Sequence, residues 1–100
     1  MPDGHRTAER RSLAMHRAIA DALTEAQLAT ARARVARWRT DLSVDAHWAD
    51  AWAVILEAPR SVVADQLRRD DPEMTQLRQS TPFAGTLPNA TRWQILREVH

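Results

Sequence analysis

The sequence contains no cysteine and no lysine, only two glycines (Gly4 and Gly85) and a single phenylalanine, Phe83. Without cysteine there is neither a disulfide nor a thiolate metal site, which suits a reducing compartment. With so little glycine there is no Gly-rich loop to cradle a phosphate. No apolar run approaches the roughly 20 residues that a bilayer span needs, and no apolar signal core follows residues 1–6. These absences point to a cytoplasmic protein not bound for a membrane. No segment alternates with period two, so no sheet is expected.

Apolar residues make up 44% of the 100 residues and charged residues 27%, the balance of one folded domain rather than of a disordered chain. Alanine supplies much of the apolar share and buries little. The core is therefore expected to centre on Trp38, Trp48, Trp52 and Trp93, each able to remove about 150–250 Å² from water. All 14 basic residues are arginine, whose planar fork makes the paired contacts to carboxylate or phosphate that lysine cannot. They are unevenly spread. Residues 1–39 hold eight arginines against four acids, and residues 40–100 hold six against nine.

The apolar spacing predicts an all-α protein, a compact bundle of five to six short helices. Residues 1–6 are expected to be a disordered N-terminus and 7–100 a single helical domain. A first helix runs from about Thr7 to Leu23, with Leu13, His16, Ile19, Ala20 and Leu23 on one face. Thr24-Glu25-Ala26-Gln27 fits a capping box, in which the threonine hydroxyl and glutamine amide satisfy each other's backbone N–H groups. It opens a second helix, the alternative being one continuous helix to Arg39. Leu28, Ala31, Val35, Trp38 and Leu42 form that helix's three-four stripe.

Ser43 or Asp45 caps a third helix, Ala46 to Glu57, and Ala58-Pro59 stops it. A fourth helix starts at Pro59 and runs to about Arg69, with Val62, Val63 and Leu67 inward. Asp71-Pro72-Glu73 starts a short fifth helix ending near Gln79. An ordered non-helical segment bracketed by Pro82 and Gly85 follows, and then a last helix from Pro88 to Val99 with Trp93, Leu96 and Val99 on one stripe.

Catalytic constellations are absent from the pattern. His5, His16, His47 and His100 make no pair at metal-binding helical spacing; His16, on an apolar face, reads as a hydrogen-bonded residue at the core edge. Ser12, Ser43, Ser61 and Ser80 lack a nucleophile setting, and Ser43 and Ser61 read as helix caps. Asp70 and Asp71 lie in a connection where capping explains them. No enzyme, metal or cofactor is expected. Arg32, Arg34, Arg37 and Arg39 could neutralise phosphates, yet they straddle the apolar stripe of their helix rather than forming one face. The Pro82–Gly85 segment is partly preorganised, and Phe83 is a natural knob. It either closes the core or fills a partner's pocket.

Leu77-Arg78-Gln79, Thr81-Pro82-Phe83-Ala84-Gly85, Leu87, Arg92-Trp93 and Ile95-Leu96-Arg97-Glu98 together resemble the tail of a group of short bacterial antitoxin-like helical proteins. His16-Arg17-Ala18-Ile19-Ala20 and the run from Ala31 to Trp38 are also similar to that group, so the resemblance covers most of the chain. Pro88-Asn89-Ala90-Thr91 departs from it, replacing a more charged helix start. The resemblance implies a toxin–antitoxin system, in which the protein binds a cognate toxin enzyme and silences it by occlusion. The expected partner-binding residues are Phe83 as apolar anchor with Arg78, Arg92, Trp93 and Arg97. Arg32, Arg34, Arg37 and Arg39 would form an electrostatic rim toward an acidic partner. Two alternatives stand beside this reading: a nucleic-acid-binding transcriptional regulator using the Arg-rich second helix, and a non-catalytic helical scaffold.

Overall fold

A computed structural model describes residues 4–100, apart from the side chain of His5. The described chain is all helical, without strands: α1 (Gly4–Asp21), α2 (Glu25–Asp41), α3 (Ala46–Leu56), α4 (Arg60–Leu67), α5 (Pro72–Arg78) and α6 (Asn89–Glu98). Residues 1–3 of the expected disordered terminus lie outside the described residues, whereas Gly4, His5 and Arg6 form the first turn of α1. The radius of gyration, 13.4 Å, is close to the ~13 Å of a compact chain of this length.

Local chemistry sets the helix starts. α1 and α2 are separate because the Thr24 capping box forms: the Gln27 N–H donates to Thr24 Oγ1 at 3.1 Å, and the Thr24 N–H donates to Gln27 Oε1 at 3.0 Å. Asp45, not Ser43, caps α3, accepting from the His47 N–H at 2.9 Å. The Ser43 hydroxyl instead donates to Asp41. Ser61 is no cap either, since α4 begins after Pro59 without a side-chain cap. Asp71 starts α5 with Pro72 in the first turn, accepting from the Met74 N–H at 2.9 Å. Arg69 also grips both Asp71 oxygens, at 2.6 and 3.1 Å. That guanidinium, helped by the Met74 N–H, holds the Asp71 carboxyl below its ordinary range.

α2 packs chiefly on α3, α1 on α4, and α6 on α1. Leu28, Trp52, Leu56, Val63, Leu67, Met74, Leu77 and Phe83 fill the centre. The expected core of four tryptophans is corrected to one. Trp52 is wholly enclosed, Trp38 and Trp48 are half-buried against the core, and Trp93 is 59% exposed. Trp52 can sit inside because its indole N–H donates to the Leu77 carbonyl at 3.0 Å, the partner a buried indole requires.

Two further inward expectations fail. Val62 points outward while Val63, Ala64 and Leu67 are buried. Leu42 is 74% exposed. It leaves the α2 stripe because it caps that helix in the left-handed region, at φ 59°, with its N–H on the Trp38 carbonyl.

Candidate functional site

Residues 79–88 run without helix between α5 and α6, so their backbone groups need partners from elsewhere. Arg34 of α2 supplies two: its Nη1 donates to the carbonyls of Pro82 and Ala84, both at 2.9 Å. The Thr86 N–H closes a turn on the Phe83 carbonyl at 3.1 Å. Gly85 occupies the third position of that turn with φ 79°, as a type II geometry demands. The segment thereby drives Phe83 into the core, 1% exposed, edge-on to Trp52 with ring centroids 6.1 Å apart. Phe83 is therefore a core residue and not an exposed anchor. Of the two roles left open by the sequence, it takes the first.

His16 ties the same segment to α1. Its Nδ1–H donates to the Ser12 carbonyl at 2.7 Å and its Nε2 accepts from the Thr81 hydroxyl at 2.8 Å. A carbonyl can only accept, so this tautomer is imposed. Thr81 Oγ1 in turn accepts the Phe83 N–H at 3.1 Å. Burial holds the imidazole neutral, lowering its pKa from 6.5 to about 4; the Ser12 carbonyl opposes this and the charge of Arg78 assists it.

Arg78 is corrected as well. At 4% exposure it is no outward contact. It turns inward, donating from Nη1 to the Arg69 carbonyl at 2.7 Å just past α4. Desolvation pulls its pKa down, and the carboxylates of Asp70 and Asp71 pull the other way. The expected arginine rim is largely spent in the same manner. Arg32 donates from Nε to the Leu56 carbonyl at 2.7 Å and from Nη2 to the Ala58 carbonyl at 3.1 Å, closing the end of α3. Arg34 holds the Phe83 turn, and Arg39 pairs with Asp50 of α3 at 3.0 Å. Arg37 alone of the four is exposed with no hydrogen-bond or ion-pair partner among the described residues. Helix C-termini carry partial negative charge and unpaired carbonyls. The arginines answer that demand before any partner's.

α6 differs from the other helices in burying no residue. Arg11 of α1 fastens its far end, donating from Nε to the Val99 carbonyl at 2.9 Å and from Nη2 to the Leu96 carbonyl at 3.1 Å. Asn89, Arg92 and Leu96 turn toward α1 and line a cleft of about 640 Å³. Its other walls are Arg11, Ser12, Met15, His16 and Ile19 of α1 and Thr81, Phe83 and Leu87 of the irregular segment. Trp93 and Arg97, one helical turn apart, are both exposed. The expected α6 stripe is thus rotated. Leu96 and Val99 are half-buried as foreseen, Thr91 and Ile95 join them on the inner side, and Trp93 is outside.

Of the expected contact residues, α6 leaves Trp93 and Arg97 exposed on its outer face and sets Arg92 at the cleft; Phe83 and Arg78 belong to the interior. The sequence reading missed the cleft, above all Met15, Leu87 and the part played by Arg11. Among the described residues, no group of three histidines or carboxylates could hold a metal ion, and no helix is long and apolar enough to cross a membrane. The chain matches no family model, no curated protein and no solved structure.

Proposed function

We propose that this is a non-catalytic, antitoxin-like cytoplasmic protein that binds a cognate toxin enzyme through the outer face of α6 and silences it by occlusion. The observation that carries the reading is Trp93, 59% exposed on a helix that buries none of its residues. A tryptophan left in water forgoes its burial energy, and tryptophan and arginine are the side chains that most often dominate protein–protein contacts. Arg97 stands one turn from Trp93 on the same exposed face. The remaining support is the resemblance of the tail motif to the antitoxin-like group. Phe83 keeps a role in this reading as the packing on which the motif's fold depends.

The test is coexpression with the product of the neighbouring gene. That product is expected to arrest growth alone and to be neutralised by this protein in a co-purifying complex. Trp93→Ala should keep the helical circular dichroism and weaken the complex by roughly 30-fold or more, the loss typical of a central contact residue. A neighbour that is harmless alone, or that stays toxic beside this protein, defeats the antitoxin reading. Full binding by Trp93→Ala defeats the assignment to α6.

A further inference from the structure

The cleft between α1, the Phe83 turn and α6 has a lining that selects for one kind of molecule. Its lining is mostly apolar, with Met15, Ile19, Phe83, Leu87 and Leu96. Of the polar groups that line it, His16 and Thr81 are already satisfied within the protein, while the Ser12 and Asn89 side chains have no hydrogen-bond partner among the described residues. Both His16 nitrogens are occupied, by the Ser12 carbonyl and the Thr81 hydroxyl. The Thr81 hydroxyl is occupied in both directions, toward His16 and from the Phe83 N–H. At His16 and Thr81 the floor therefore offers a neutral surface to an apolar chain and asks for no hydrogen bond.

The rim differs. Two arginines line the cleft, Arg11 and Arg92, and no aspartate or glutamate does. Arg11 is held by the Leu96 and Val99 carbonyls. The Arg92 guanidinium has no hydrogen-bond or ion-pair partner among the described residues, whereas the arginines of α2 and α5 are mostly committed. An apolar cavity of about 640 Å³ falls within the roughly 300–1,000 Å³ range of small-molecule sites, where a few placed polar groups set orientation. One uncommitted guanidinium at its edge matches a carboxylate.

We infer that this cleft binds a free amphipathic monocarboxylate of the medium-chain fatty-acid class, its chain against Met15, Ile19, Phe83, Leu87 and Leu96 and its carboxylate on Arg92. The site is separate from the outer face of α6, which carries Trp93, so it stands or falls independently of the toxin-binding reading. Because Arg92 and Leu96 both belong to α6, an occupied cleft also fixes that helix against α1.

Isothermal titration of the full chain with decanoate, below its micelle concentration, is the direct test. Saturable one-to-one binding is expected, with decanol at least about tenfold weaker because it lacks the charge that meets Arg92. Arg92→Gln, an exposed change that leaves the core intact, should bring decanoate down to the affinity of decanol. Met15→Trp, which fills the cleft without altering charge, should abolish binding of both. The decanol comparison uses the unaltered protein and so does not depend on any variant folding. No saturable heat with decanoate up to 1 mM overturns the inference, as does equal affinity for decanoate and decanol. Tighter binding of an apolar dipeptide with a free C-terminus would assign the cleft to a protein tail instead, and would overturn it too.

Discussion

The irregular segment 79–88 and the regular helix α6 follow one another in sequence and are held in opposite ways. Between its ends, where Gln79, Ser80 and Pro88 bond to the adjoining helices, the segment has no helical hydrogen bonds, yet it is gripped from α1 through His16 and from α2 through Arg34, and its phenylalanine lies in the core. α6 bonds its backbone within the helix except at its end, where Arg11 takes the Leu96 and Val99 carbonyls; it fully buries no residue and borders a partly open cleft. Regular backbone is therefore no guide to which part of a small protein is most firmly built in. What decides is whether the backbone groups and large side chains find partners outside their own segment.

The largest expected effect separates the two regions by one residue each. Phe83→Ala should cost about 3–5 kcal/mol, the range for removing a buried aromatic, and Trp93→Ala should stay within about 0.5 kcal/mol as a surface change does. Urea unfolding of the two variants measures both. Equal losses would erase the contrast.

Acid should act through the segment's tie to α1. The folded pKa of His16 is depressed from 6.5 to about 4, so the unfolded chain binds the proton first. Stability is then fully present above pH 6.5 and is lost as pH falls toward 4, by about 3 kcal/mol in all. His16→Gln should remove this part of the slope between pH 7 and 4. An unchanged slope in urea midpoints would show that the imidazole is not enclosed as described.

Arg34→Met should cost about 1–2 kcal/mol, less than a fully buried charged hydrogen bond because the side chain is half-exposed. It should also speed hydrogen exchange at the Thr86 amide. Arg37→Met, on the same helix and with no hydrogen-bond or ion-pair partner for its side chain among the described residues, should do neither. Loss of protection in both would point to a general effect of charge.

The smallest pair concerns backbone sign. Gly85→Ala should destabilise by about 1 kcal/mol through its positive φ, since a Cβ there meets no atom within 4 Å. Leu42→Gly should stabilise by about 1 kcal/mol, because leucine at φ 59° bears the strain that glycine escapes. Thermal midpoints should move a few degrees in opposite directions.

Much of the fold was legible because its signals are local. The Thr24–Gln27 box, Asp71-Pro72 and the stop at Pro59 each act within four residues, and each sits where the pattern placed it. His16 read as a hydrogen-bonded core-edge residue for the same reason, an apolar face one turn deep. The choice among tryptophans was not legible. Trp52 and Trp93 both lie on plausible stripes, and only the Leu77 carbonyl beneath Trp52 distinguishes them. The arginines misled because a guanidinium reaching a carbonyl dozens of positions away leaves no trace in spacing. The cleft was hidden for a related reason, its walls coming from three separate stretches of chain.

Arg11 and Arg32 each span two main-chain oxygens with two different nitrogens, Nε and Nη2, of one planar head group. An ammonium at either of these places would conserve the formal charge and lose the span. Charge-conserving drift at positions 11 and 32 would thus leave the isoelectric point almost untouched while loosening α6 and the end of α3 in turn.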